Sequence, residues 1–157
     1  VTLRLFVNLF KERHMLVRQI LGFKNGSGVV TVRPTTQISE VAKLLSEKRI
    51  GAVVVADTDA PVGILSERDI VRELGRRSDS CLKDTAEALM TRELVTCGPE
   101  ETADQVLGKM TQGRFRHMPV VEDGAMIGLI SIGDVVKARL SELSMENSAM
   151  EDMIKGF

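Results

Sequence analysis

One stretch occurs twice, and the constant offset between its copies limits what the chain can fold into. Gly63-Ile64-Leu65-Ser66-Glu67-Arg68-Asp69-Ile70-Val71 is answered further on by Gly128-Leu129-Ile130-Ser131-Ile132-Gly133-Asp134-Val135-Val136. Each copy reads as a small residue, a short apolar strand, a Ser, and an Asp one helical turn on that opens a helix. The same offset holds upstream: Thr31 answers to Thr96, Pro34 to Pro99, Val41 to Val106, Arg49 to Arg114 and Val55 to Val120. A match kept this long without a gap marks an internal duplication. The fold is therefore two similar units.

At 157 residues the chain allows one compact domain or two small ones sharing a core. Trp and Tyr are absent, so the core rests on Val, Ile, Leu, Met and Ala. The formal net charge of −1, with both signs interspersed, argues against a nucleic-acid partner, whose binders carry a basic stripe to replace counterions. No apolar run is long enough for a membrane-spanning helix, so no membrane partner is expected. Cys81 and Cys97 lack CxxC or Cys/His spacing, which leaves no zinc site and no disulfide framework. Two free thiols fit a reducing, cytoplasmic setting.

Residues 1–14 do not follow the repeat. A strand is expected over Val1 to Val7, and Met15 reads as a start, which makes 1–14 an extension. Val17, Ile20 and Leu21 give a short amphipathic turn before Gly22, and a loop runs from Lys24 to Gly28. A strand from Val29 to Val32 follows. A helix is then expected from Gln37 to Lys48, capped by Thr36, with Ile38, Val41, Leu44 and Leu45 on one face. Ile50 to Val55 is an apolar, β-branched strand, and Val62 to Leu65 leads into Ser66. The next helix carries Ile70, Val71 and Leu74 and stops at Gly75. The linker follows from Arg76 to Lys83, and Asp84 or Thr85 caps a turn over Ala86 to Met90. The second repeat replays the first: a strand from Leu94 to Cys97, and a helix from Thr102 with the capping box Thr102-Ala103-Asp104-Gln105. Strands then run from Met118 to Val121 and from Ala125 to Ile130. The last helix starts near Asp134 and runs well beyond its counterpart.

The fold class is therefore mixed α/β (α+β), with two β-α-β-β-α repeats packed as a pseudo-two-fold pair, since neither repeat alone buries enough surface. The expected division is an extension over 1–14, repeat one with its lead-in over 15–78, repeat two with the linker over 79–143, and a helical extension over 144–157.

This order, the Arg116-His117-Met118-Pro119-Val120-Val121 segment and the two G-h-h-S-x-x-D copies resemble a tandem pair of cystathionine β-synthase (CBS) domains, of the small free-standing bacterial type. The resemblance covers about Met15 to Leu143. It implies a non-catalytic regulatory module that binds an adenosine-containing ligand (AMP, ADP, ATP, NAD(H) or S-adenosylmethionine) in two clefts between the repeats. It also implies a homodimer and a regulated protein that the sequence does not identify.

Carried over residue by residue, the resemblance assigns Ser131, Gly133 and Asp134 to one cleft, with Gly28, Val30, Ile50, Gly51 and Ala52 from repeat one. Lys24 is a possible cation there. The other cleft takes Ser66, Arg68 and Asp69 with Val95, Phe115, Arg116 and His117. A carboxylate on the first turn of a helix can accept from two vicinal ribose hydroxyls. The Ser hydroxyl and the exposed N–H groups of that turn suit a phosphate. The competing reading is plain helix capping, because S-x-x-D before an apolar run is itself a capping pattern. Arg68 and Arg116 read equally well as solvated surface residues, and His117 as a packing residue. The copies differ, because Arg68 is matched by Gly133 and Ala52 by His117. The Asp69 cleft is therefore the more cationic of the two.

An enzyme reading finds no support: there is no P-loop, and Gly26-Ser27-Gly28 precedes a strand where a dinucleotide fingerprint opens a helix. No catalytic or metal-binding residue is assigned. The alternative to a sensor is a ligand-independent adaptor that docks through its helices.

Overall fold

The computed structural model describes residues 14–24, 28–58 and 60–156. The strand expected over Val1 to Val7 and the centre of the Lys24–Gly28 loop lie outside them. Two compact units form, one from residues 14–24 with 96–156 and the other from 28–95.

The second unit carries β1 (Thr31–Val32), α2 (Ile38–Lys48), β2 (Ala52–Asp57), β3 (Ala60–Ser66), α3 (Glu67–Arg77) and α4 (Ala86–Leu89). A 3-10 helix, Ser78–Lys83, joins α3 to α4. Strand β2 pairs parallel with β1 and antiparallel with β3, which puts Ala52 opposite Ser66. Val53, Val54, Val55 and Leu65 are fully buried, and Ile38, Val41 and Leu45 of α2 pack on Val53, Val55 and Leu65.

The first unit carries α1 (Val17–Phe23), α5 (Ala103–Gly113), β4 (His117–Glu122), β5 (Ala125–Ser131) and α6 (Ile132–Lys155). Strands β4 and β5 pair antiparallel with His117 opposite Ser131, the counterpart of Ala52 opposite Ser66. Its core joins Val106 and Met110 of α5 to Met118, Val120, Ile130 and Val135. Helices α2 and α5 both end on a non-glycine residue in the left-handed region, Arg49 (φ 53°) and Arg114 (φ 57°), so the duplication extends to the backbone.

The lead-in helices are exchanged between repeats. Helix α1 precedes repeat one in sequence but docks on repeat two, while α4 precedes repeat two and docks on repeat one. Val17 and Arg18 donate their N–H groups to the carbonyls of Glu101 and Pro99. Ala86 and Glu87 donate to those of Thr36 and Pro34. The acceptors keep the offset of the repeat, Pro34 answering to Pro99, but the donors are spaced wider along the chain. The lead-ins thus repeat with a register of their own, in which Val17 matches Ala86 and Arg18 matches Glu87. Each unit buries its lead-in as part of its core, Val17 in one and Ala86 in the other.

Three local expectations are corrected. Helix α2 starts at Ile38 with Gln37 as its cap residue, and no side chain caps it. Thr36 is held instead in a turn, its N–H on Arg33 and its carbonyl on Ala86. Helix α3 passes through Gly75 to Arg77, because Glu73 pairs with Arg76 at 3.0 Å and Arg77 at 2.9 Å and ties the last turn down. Of the apolar residues that this helix carries, Ile70 is buried in the core, while Val71 and Leu74 are exposed. The strand expected from Leu94 to Cys97 shrinks to one parallel bridge, Cys97 to Val120. Proline explains this last difference. In repeat one the Val54 N–H bonds the Val30 carbonyl at 3.0 Å, but the matching residue of repeat two is Pro119, which has no N–H to offer Val95.

Cys97 is 3% exposed, and burial, with the Glu101 charge adding to it, pushes its thiol up to about 11. The thiol therefore stays protonated and unreactive at neutral pH. Iodoacetamide is expected to alkylate Cys97 on the timescale of unfolding only, as followed by mass spectrometry with and without denaturant. Rapid modification of the folded protein would contradict this environment.

Candidate functional site

The doubled segment forms the same device in both units: a strand end, a sharp entry into a helix, and a carboxylate folded back on that entry. Ser66 and Ser131 have extended backbones (φ −104°, ψ 160° and φ −100°, ψ 161°), as an N-cap residue requires. The Asp69 N–H donates to Ser66 Oγ at 3.3 Å, and the Ser66 N–H returns to Asp69 Oδ2 at 2.9 Å. The second copy repeats both bonds, Asp134 N–H to Ser131 Oγ at 3.2 Å and Ser131 N–H to Asp134 Oδ2 at 2.8 Å. These are complete capping boxes with an acid in place of the usual Glu or Gln. The backbone bond of the cap falls on one carboxylate oxygen, Oδ2, in both copies and holds the charge at the positive end of a helix.

The floor beside each box is also repeated. The Glu67 N–H bonds the Gly51 carbonyl at 2.9 Å, and the Ile132 N–H bonds the Arg116 carbonyl at 2.8 Å. Each helix entry is thereby stitched to the segment that opens the preceding strand. In one unit Ser66 and Asp69 lie next to Gly51 and Ala52, and in the other Ser131 and Asp134 lie next to Arg116 and His117. Ala52 is buried, while Ile50 and Gly51 are half-buried. Val30 is half-buried with its carbonyl on Val54, and Gly28 is exposed, with open space where a side chain would stand. Val95 and Arg116 are exposed, whereas Phe115 is half-buried against the core of its unit. Arg68 and Gly133, the matched pair on the two helix first turns, are both exposed.

The carboxylates have unlike partners. Asp69 Oδ2 also accepts the Ser66 hydroxyl at 2.8 Å, and its Oδ1 faces Arg72, one turn along α3, at 3.9 Å. Asp134 Oδ2 instead meets Lys24 Nζ at 2.9 Å, and the same ammonium donates to the Leu129 carbonyl at 2.8 Å. Burial works to raise the Asp134 carboxyl, but the Lys24 and Ser131 hydrogen bonds and the Lys24 charge outweigh it and hold it below the ordinary carboxylate range. Lys24, the cation expected at this copy, forms an ion pair with Asp134. That it arrives as an ion pair with the Asp itself is not legible in the sequence. Arg72 is a further residue missed by the sequence reading, although its i,i+3 spacing from Asp69 on a helix is the signal for it.

A separate open groove of about 770 Å³ lies at the far end of β2, lined by Arg33, Asp57, Glu87 and Arg92 among others. It is remote from the Ser66 end of β3, since Asp57 pairs with Ala60.

The chain belongs to the CBS-domain family. The family profile for the CBS domain matches residues 26–76 and again 86–141. The mitochondrial CBS domain-containing protein CBSX3 of Arabidopsis thaliana is 34% identical over 124 residues, which are 76% of this chain and 60% of that protein. The chain thus spans about 60% of the length of that relative. Among solved structures, a CBS-domain containing protein from Agrobacterium tumefaciens is 45% identical, with a TM-score of 0.75 over 79% of this chain and 92% of that one. A CBS domain protein from Pyrobaculum aerophilum, solved in complex with AMP, is 28% identical with a TM-score of 0.67 over 76% and 89% of the two chains. The CBS domain pair of protein MJ0100 was solved with 5′-methylthioadenosine and S-adenosyl-L-methionine, at 26% identity and a TM-score of 0.71 over 82% and 98%. The architecture is accordingly that of a small tandem CBS protein. Among the described residues no helix is long and apolar enough to cross a membrane.

Proposed function

We propose that this protein is a non-catalytic sensor that binds an adenosine-containing ligand, AMP, ADP, ATP or NAD(H), through Asp69 and Asp134. The observation that carries the reading is the duplicated capping box. In both copies the carboxylate commits one oxygen to its own helix entry and stays partly exposed (19% and 21%) at the positive end of a helix. An acceptor of that kind suits the vicinal hydroxyls of a ribose. The AMP and S-adenosylmethionine complexes of the structural neighbours support the same ligand class. Gly28, Val30, Ile50, Gly51 and Ala52 would complete the Asp134 site, and Val95, Phe115, Arg116 and His117 the Asp69 site. In this reading Arg68 and Gly133 face the ligand from the helix first turns. The protein works in the cytoplasm as a homodimer and passes ligand occupancy to a regulated protein.

Calorimetric titration with AMP, ADP, ATP, NADH and S-adenosylmethionine tests the proposal. At least one ligand is expected to bind, and Asp69→Ala with Asp134→Ala to weaken it about 10- to 100-fold, the scale of losing one charge-assisted hydrogen bond at each site. Absence of binding to all five would sink the sensor reading. One observation favours an adaptor instead: α6 exposes Leu140, Leu143, Met145, Met150, Met153 and Ile154 along its outer length. Loss of partner binding on truncation after Leu143, with no ligand response, would move the assignment there.

A further inference from the structure

The two carboxylates share a cap but not a counter-ion, and the difference comes from the lead-in helix. Lys24 closes α1, and its ammonium, 35% exposed, bridges Asp134 Oδ2 and the Leu129 carbonyl. The corresponding carbonyl of the other unit, Ile64, is taken by the backbone N–H of Thr91 at 2.8 Å. Continuing the match of Val17 with Ala86 along the lead-ins puts Glu93 opposite Lys24, an acid where the first lead-in has a base.

We infer that the Asp134 site selects adenosine ligands that carry a phosphate, because Lys24 exchanges its ion pair with Asp134 for one with the ligand. This rests on the reading of Asp134 as a ribose acceptor. The Ser131 N–H and the Lys24 ammonium both fall on Oδ2 of Asp134, so Oδ1 is the oxygen to which one ribose hydroxyl is assigned. A second hydroxyl competes with Lys24 for Oδ2. An uncharged nucleoside therefore displaces an ion pair and leaves a half-buried ammonium without an anion. A ligand with a phosphate gives that ammonium a new anion at the positive end of α6, where the Gly133 N–H adds a donor. Lys24 is a specificity residue here, and Asp69, whose nearest cation is Arg72 at 3.9 Å on its own helix, has no equivalent exchange.

The test isolates the Asp134 site in an Asp69→Asn background and compares AMP with adenosine by calorimetry. AMP is expected to bind about tenfold tighter than adenosine, the scale of one charge-assisted contact. Adding Lys24→Met is expected to bring the ratio to about threefold or less by weakening AMP and sparing adenosine. Lys24→Arg is expected to preserve the preference. A Lys24 that merely holds α1 in place would weaken both ligands together, so an unchanged ratio in Lys24→Met overturns the inference, as does an Asp69→Asn protein that prefers adenosine. If the wild-type protein binds nucleotide but Asp69→Asn binds none, Asp134 is not a ligand site, and the inference falls while the sensor reading survives through Asp69. If the wild type binds neither compound, the reading beneath the inference fails with it.

Discussion

Replacing Glu142 with alanine is expected to lower the thermal midpoint by roughly 5–10 °C, a loss of about 2–3 kcal/mol. Glu142 is the one charged residue buried among those described, at 3% exposure, and it lies on the inner face of α6. Its Oε1 accepts the backbone N–H of Met15, and its Oε2 accepts the Arg139 guanidinium. It therefore anchors the first residue of the lead-in, just ahead of α1, to the last helix of the same unit. Truncation leaves a part-buried N–H without its acceptor and removes the closest partner of Arg139, whose remaining partner Asp104 stands at 3.7 Å. The cost falls below that of a fully buried broken pair, because Arg139 is 26% exposed and regains water. Glu142→Gln keeps an acceptor for Met15 and is expected to cost about half as much. Differential scanning calorimetry on the three proteins decides it. A Glu142→Ala midpoint indistinguishable from wild type would show that this carboxylate does not hold the lead-in.

The second large effect is at Gly63, the seat of the other lead-in. A Cβ there would stand 2.5 Å from Met90 Sδ, 2.8 Å from Met90 Cγ and 3.0 Å from the Thr91 carbonyl. The methionine side chain can give way, but the carbonyl is fixed, since it accepts the Ile64 N–H at 3.0 Å. Gly63→Val is therefore expected to cost about 3 kcal/mol and Gly63→Ala about 1–2 kcal/mol, as overpacking against backbone does. The matched position is a control. At Gly128 the obstacle is Leu21 alone, with Cδ2 at 2.8 Å and no backbone atom among the nearest contacts. Gly128→Ala is expected to cost less than Gly63→Ala in urea denaturation, and the reverse order would mean that the docked lead-in yields as a whole.

Both positions concern how the lead-ins dock, which is the least legible part of the chain. The capping boxes can be read directly, because cap and acid are one helical turn apart and their bonds are local. The apolar strand centres at Val53 to Val55 and Met118 to Val121 are legible for the same reason, as short β-branched runs with turns on either side. Expectations fail where another partner overrides a local signal. Gly75 reads as a stop, yet the Glu73–Arg77 pair carries α3 past it. Thr36 reads as a cap, yet its backbone is committed to Arg33 and Ala86. Leu94 to Cys97 reads as a strand, yet Pro119 on the facing strand lacks the donor it needs. The ion pair of Lys24 with Asp134 is a further contact that local spacing does not show.

The amino-acid sequence by itself determined the duplication, the two Ser/Asp helix entries and the CBS-type order of elements, because each is written in short-range spacing that any copy of the chain must honour. Only the tertiary structure decided which repeat each lead-in helix completes and which counter-ion each Asp receives. Those choices depend on contacts between distant parts of the chain, such as Lys24 with Asp134 and Met15 with Glu142. They follow the lead-in register of Val17 with Ala86, which the tighter spacing of Ser66 with Ser131 conceals.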